Sequence, residues 1–206
     1  MTARYNSRRY ALINRWNPRN LDIVLNWVNP EPGYKILDVG CGRGHLVKAL
    51  TERGFEAWGI DLNPNASEIA GDLNVQTMSA AALEFADASF DTVVSFHAIE
   101  HIPPLEEAMA EIARVVKPGG KVLLVYPAEP LRGLYAVPTS IILHGTPFKA
   151  REVHVHRLNP PKVKALGGSV GLIELRRTFR PWPSPEYASL LEKPSSVLHP
   201  KPSFGA

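Results

Sequence analysis

Apolar positions along this chain fall into two kinds of run, and the two kinds take turns. Short runs rich in Val, Ile and Leu occupy Lys35–Gly40, Ala57–Asp61, Val75–Met78, Asp91–Phe96 and Lys121–Tyr126. Their length and bounding turn residues suit strands. Between them the apolar residues recur at helical spacing. Leu21, Val24, Leu25 and Val28 do so within Trp16–Val28, Leu46, Val47 and Leu50 after Gly44, and Leu105, Ala108, Met109, Ile112 and Val116 after the Pro103-Pro104 pair. Prolines at a helix start cost little, because the first amides have no intrahelical acceptor. Lys117-Pro-Gly-Gly120 then stops that helix and turns the chain into the next strand. Alternating strands and helices predict one α/β domain, a doubly wound, mostly parallel sheet with helices on both faces.

The second half of the chain is less regular. Residues 127–158 mix prolines with apolar Leu131, Leu134, Tyr135, Val137, Ile141, Ile142, Leu143 and Phe148. A connection that long is functional or disordered, and its apolar content argues against plain disorder. It reads as a lid over the carboxyl ends of the strands, where open α/β sheets bind ligands. Pro160–Leu166 is a short helix and Leu172–Phe179 a sixth strand. Six prolines in the 26 residues from Pro181 make the tail irregular, with Ser195–His199 the candidate for a seventh strand. The organisation expected is a basic arm over 1–19, one domain over 20–180 with the lid inserted after strand 5, and a Pro-rich tail over 181–206.

The chemistry concentrates at the first strand-to-helix junction, Lys35-Ile-Leu-Asp-Val-Gly-Cys-Gly-Arg-Gly-His-Leu46. The strand carries the acid Asp38 and runs into Gly40, Gly42 and Gly44. Glycines so placed permit a sharp turn and leave bare backbone for a ligand. The second strand ends in another acid, Asp61, which at that place typically accepts hydrogen bonds from ribose hydroxyls. A nucleoside-containing cofactor follows. Dinucleotide sites read G-x-G-x-x-G and offer a helix N-terminus to pyrophosphate. Here the spacing is G-x-G-x-G, and the Asp38 carboxylate repels phosphate and attracts a cation. S-adenosylmethionine, with a sulfonium, an ammonium and no phosphate, suits the arrangement; a plain Gly-rich turn is the alternative.

Four blocks, in order, resemble the class I S-adenosylmethionine-dependent methyltransferases, closest to the group acting on small molecules and lipid-like substrates. They are Ile36–Gly44 (ILDVGCGRG), Gly59–Pro64 (GIDLNP), Ser89–Ile102 (SFDTVVSFHAIEHI) and Glu111–Pro127 (EIARVVKPGGKVLLVYP). The resemblance covers roughly residues 20 to 180. It implies a Rossmann-like fold and S-adenosylmethionine as cofactor, with contacts from Asp38, Gly40, Cys41, Gly42, Gly44, Asp61, Leu62, Ser79, Ala80 and His97. The family often holds the adenine amino group with an acid after the third strand. By register against Leu83-Glu-Phe85 that position here is Ser79, so the adenine contacts depart from the pattern. The seventh strand is also hard to find.

Composition narrows the remainder. A hydrophobic content of 45% and a charged content of 21% are ordinary for a soluble domain. The net charge is only +3, but Arg4, Arg8, Arg9, Arg15 and Arg19 stand in an arm without an acid. Such an arm can meet nucleic acid or an anionic surface, or be a solvated end. Cys41 is the single cysteine, which excludes an intrachain disulfide and favours a reducing compartment. The first twenty residues lack the apolar run of a signal peptide. A cytoplasmic protein is expected, with peripheral membrane contact as a further option.

Candidate groups for catalysis cluster where the fourth strand ends: His97, Glu100 and His101. His101 and His97 are the candidate bases for an oxygen nucleophile; a helix-cap or packing role is the alternative for His101. His97-Ala-Ile-Glu-His101 has the wrong spacing for an inverted zinc motif, and no metal is expected. His154-Val-His156 alternates like a short strand, so His154 and His156, with Tyr135 and Ile141 from the lid, are the candidate acceptor-binding residues. Asn159-Pro-Pro161 matches an amino-methyltransferase signature in the wrong place and is taken as chance. Three function classes remain open. They are methyl transfer to a small, partly apolar or lipid-like acceptor, methyl transfer to nucleic acid using the basic arm, and cofactor binding without transfer. The second is disfavoured because 206 residues leave little room for a recognition domain.

Overall fold

The computed structural model describes residues 16–128, 155–181 and 184–195, together with Arg8 and Ile141. Most of the expected lid, including Tyr135 and His154, most of the basic arm and the end of the tail lie outside the described residues.

Helix α1 (Arg19–Ile23) continues as a π-helical turn over Val24–Val28. It is followed by β1 (Lys35–Val39), α2 (His45–Thr51), β2 (Glu56–Asp61), α3 (Pro64–Ala70), β3 (Val75–Thr77) and β4 (Phe90–Phe96). A one-turn 3-10 helix at Ile99–His101 leads to α4 (Leu105–Val115), β5 (Val116–Pro127), α5 (Pro160–Ser169), β6 (Ile173–Arg180) and β7 (Glu186–Glu192). The seven strands form one sheet in the order β3-β2-β1-β4-β5-β7-β6. Strands β1 to β5 pair in parallel, and β7 runs antiparallel between β5 and β6. The chain winds outward through β2 and β3, then returns to place β4 on the other side of β1. The carboxyl ends of β1 and β4 flank that reversal, where such sheets open a crevice.

Both faces of the sheet are covered. Val122, Leu124 and Tyr126 face one core with Leu105, Met109 and Ile112 of α4 and Val163 of α5. Leu123 and Val125 face the other with Leu21 of α1, Val24 of the π-helical turn, and Leu46 and Leu50 of α2. Alternate residues thus point to opposite sides, yet both sides are buried, so β5 reads in sequence as one unbroken apolar run.

Two expectations are corrected here. The seventh strand is Glu186–Glu192, not Ser195–His199, and it falls inside the stretch expected to be irregular. Its Glu-Tyr-Ala-Ser-Leu-Leu-Glu sequence gives no alternation, because a central strand is buried on both faces. The prolines at 181, 183, 185 and 194 lie outside the strand and only bound it. Lys117–Gly120 is not a free turn but an irregular start to β5. The register slips between Phe90 and Thr92, and Gly119 N–H donates to Lys193 O at 2.6 Å. The Asn159-Pro-Pro161 signature also finds a plain structural role. Asn159 is the N-cap of α5, its Oδ1 accepting from Lys162 N–H at 2.9 Å.

One network fixes the loop between β3 and β4. Arg114, at the end of α4, donates to the carbonyls of Leu83 and Phe85 and to Asp87 and Glu111, at 2.7–2.9 Å. Glu111 Oε2 accepts from Leu83 N–H at 2.7 Å. Removing the guanidinium leaves two carbonyls and two carboxylates without that partner. Arg114→Ala is expected to lower stability by about 2 kcal/mol. Thermal unfolding checks this; an unchanged Tm contradicts it.

Candidate active site

The loop after β1 is pinned to β2 by its own amides. Gly40 N–H and Cys41 N–H both donate to Ile60 O, at 2.8 and 3.0 Å. Gly40 has φ +77, and a Cβ there would stand 2.2 Å from the Ala98 Cβ. The Gly40 backbone therefore packs directly against the Ala98 side chain at the exit of β4. Gly59, inside β2, makes a second close approach, since a Cβ there would lie 2.7 Å from Cys41 Sγ. The Cys41 side chain rests on that bare strand. Burial first, then the Asp38 and Asp61 charges, push its thiol well above the usual range, which keeps it an inert packing group.

The two acids sit on either side of this loop. Asp38 is 4% exposed. Burial, helped by the Asp61 charge, raises its carboxyl to about 8. Asp61 is also raised by burial, against the pull of the amides of Asn63, Gly42 and Leu62. Its Oδ2 accepts from Gly42 N–H at 2.9 Å and its Oδ1 from Asn63 N–H at 2.8 Å. The residue expected only to bind ribose thus also fastens the glycine loop to β2. A carboxylate has about four acceptor sites, so ribose hydroxyls can still be taken.

Beyond Asp61, Leu62 is 39% exposed, an unusual place for a large apolar side chain. Ser79 follows β3, and its Oγ accepts from Ala81 N–H at 3.3 Å, bending the chain around a buried Ala80. These three residues lie on the segments that extend the crevice outward from β1 over β2 and β3.

The histidine end lies on the other side. His97 leaves β4 with φ +55, its N–H donating to Val125 O at 2.8 Å. Its ring Nε2 is 2.7 Å from Glu186 Oε2, and Nδ1 is 3.7 Å from Glu100 Oε1. Arg180 Nη1 stands 3.1 Å from the other Glu186 oxygen. His101 is mostly buried in the 3-10 turn, with Nε2 4.0 Å from the same Glu100 oxygen. Glu100, 1% exposed, stands between the two imidazoles. Among the described residues no group of three His, Cys, Asp or Glu is disposed to hold a metal ion.

The structure brings Asp38, Asp61, the glycines, Ser79, Ala80, Leu62, His97 and His101 to the carboxyl ends of strands β1 to β4. His156 does not lie on the expected short strand. Val155 and His156 form a bend rather than a strand. His156 Nε2 lies 2.9 and 3.1 Å from the carbonyls of Ile102 and Pro103, and its N–H donates to Glu100 O at 2.9 Å. It staples the chain just before α5 to the exit of β4. Ile141 is 50% exposed. Glu186 and Arg180 were invisible to sequence reasoning, because the strand that carries Glu186 gave no signal of its own.

With this geometry in place, residues 37–124 match the family model described as Methyltransferase domain. Over those residues the chain is similar to a methyltransferase domain, and its fold is Rossmann-like α/β. A ubiquinone biosynthesis O-methyltransferase from Alkalilimnicola ehrlichii is 36% identical over 116 residues, covering 52% of this chain and 47% of that protein. The chain thus spans about half the length of the curated relatives it matches. Among solved structures, a SAM dependent methyltransferase from Archaeoglobus fulgidus superposes with TM-score 0.68 at 19% identity, covering 91% of this chain and 95% of that one. The [4+2]-cyclase SpnF superposes with TM-score 0.67 at 16% identity, covering 86% of this chain and 81% of that one. Similarity at that identity establishes the fold alone. Among the described residues no helix is long and apolar enough to cross a membrane.

Proposed function

We propose that the protein transfers a methyl group from S-adenosylmethionine to a hydroxyl group of a small, partly apolar acceptor. The observation that carries this reading is the buried Asp38 carboxyl, raised to about 8 beside an acid and a bare glycine loop. Such a pocket binds a proton for want of another cation, and a cationic ligand relieves it. Asp61 and Leu62 then receive the ribose and adenine, with Ser79 and Ala80 beyond. The oxygen class of the acceptor is suggested by the names of the relatives.

The bound donor supplies an electrophilic methyl group and a good leaving group. The acceptor oxygen forms the new O–C bond as the C–S bond breaks, S-adenosylhomocysteine departs, and the hydroxyl proton passes to a base. His97 and His101 are the candidate bases within the described residues. The rest of the protein's work is to position the two partners and exclude water. The apolar lid residues, Tyr135 and Ile141 among them, are proposed to receive the acceptor's apolar part, with His154 beside them.

A second reading is kept by one observation: a cyclase shares this fold. The chain would then bind the cofactor without transferring its methyl group. Transfer of label from methyl-labelled S-adenosylmethionine to a panel of phenols separates the two. Product formed supports transfer; tight cofactor binding with no product from any hydroxyl acceptor favours the second reading.

Asp61→Ala is expected to weaken cofactor binding at least about tenfold, since hydrogen bonds to a charged group are each worth roughly 1.5–3 kcal/mol. It should also lower Tm, because Gly42 and Asn63 lose their acceptor. Calorimetric titration with unchanged affinity overturns the ribose assignment.

A further inference from the structure

We infer that Glu186 is the positioning residue for His97, and that β7 thereby supplies part of the transfer machinery. The inference rests on the methyl-transfer reading above and deepens it for one of the two candidate bases. His97 occupies a place where a ring would otherwise be loosely held. It follows the last residue of β4, has a positive φ, and is about a quarter exposed. Its neighbour Ala98 abuts Gly40, so the chain at the exit of β4 meets the loop proposed to hold the donor. A base there must present one nitrogen in one direction.

Glu186 meets that need. It is the first residue of β7, paired across the sheet with Pro127 at the carboxyl end of β5. It is buried and held by Arg180 at 3.1 Å through one oxygen, which fixes the other 2.7 Å from His97 Nε2. Arg180 is itself set by the β6–β7 register, opposite Glu186. A carboxylate accepting from Nε2–H selects the tautomer with its lone pair on Nδ1, on the Glu100 side of the ring. The carboxylate also stabilises the imidazolium that forms when the acceptor's proton arrives. During transfer that proton moves to Nδ1, the oxygen takes the methyl group, and S-adenosylhomocysteine leaves.

The test uses the full chain, catechol and 3,4-dihydroxybenzoate as probe acceptors, and three proteins: wild type, Glu186→Gln and Ser189→Ala. Ser189 lies on the same strand and bonds Tyr126 and Glu174, so its loss perturbs β7 without touching His97. Glu186→Gln is expected to lower kcat about 10²-fold with the KM and Kd for S-adenosylmethionine within about twofold. Ser189→Ala should change kcat less than about threefold at a similar loss of Tm. A normal kcat in Glu186→Gln, or an equal loss in both variants, overturns the inference. Nitrogen-15 spectra of the histidines provide a readout free of turnover. His97 should carry its proton on Nε2 at pH 8 in wild type and lose that fixed tautomer in Glu186→Gln. A bare Nε2 in wild type, or identical spectra in the variant, overturns the positioning role. Should wild type methylate neither phenol, the methyl-transfer reading to phenols fails, while the spectra still decide whether Glu186 holds His97.

Discussion

Asp38→Asn is expected to stabilise the ligand-free protein at pH 8 while weakening S-adenosylmethionine binding by two orders of magnitude or more. The two effects have one cause. The Asp38 carboxyl is raised from 3.8 to about 8 by burial and by the Asp61 charge. Between those values the folded protein holds a proton that the unfolded chain has released. Native stability therefore falls as pH rises through that window, by about 1.4 kcal/mol per unit at the steepest, and levels off above about 8. Asparagine does not titrate and carries no buried charge. The Tm of the variant should match or trail wild type at pH 5 and exceed it by several degrees at pH 8. A gap that does not widen with pH contradicts the burial of an ionisable acid there. Function runs the other way, because the cationic ligand needs the charge that the fold resists, a familiar trade of stability for a site.

Gly40→Ala carries the second large effect. At φ +77 any side chain is strained, and here the new Cβ would also lie 2.2 Å from Ala98 Cβ. Backbone holds both sides of the contact, since Gly40 N–H is tied to Ile60 O and His97 N–H to Val125 O. Neither loop can yield without breaking a strand-end hydrogen bond. A loss of at least about 3 kcal/mol is expected, strain and overpacking together, with cofactor binding abolished in whatever remains folded. Gly54→Ala is the control, since it has φ +83 but nothing within 4 Å of the added carbon. It should cost only about 1 kcal/mol. Urea unfolding of both variants separates the two terms. Equal losses would show that the contact with Ala98 does not matter.

What was legible in the sequence, and what was not, divides along physical lines. Asp38, Asp61 and the glycines announce themselves because local backbone geometry demands those residue types at those places. The parallel strands β1 to β5 are legible as short apolar runs bounded by turn residues, most of them separated by helices. β7 is not, because it is buried on both faces and its neighbours in the sheet are remote or reversed in the chain. Glu186 was missed with it, since its meaning comes from standing across β5 from His97, 89 residues away. His156 shows the converse error. Its spacing from His154 suggested a strand facing a pocket, whereas its ring is committed to the carbonyls of Ile102 and Pro103. The double role of Asp61 was likewise hidden, for no motif states that the ribose acid also anchors Gly42.

The central claim is that a cation-seeking site, built on Asp38 and the glycine loop, binds S-adenosylmethionine. Isothermal titration at pH 7 in two buffers of different ionisation enthalpy tests it most directly. Binding of S-adenosylmethionine should release close to one proton, because Asp38 starts protonated and ends ionised beside the ligand's positive charge. The release should vanish in Asp38→Asn. NAD, with its pyrophosphate, should show no comparable affinity. Tight NAD binding, or S-adenosylmethionine binding with no proton released, would contradict the account.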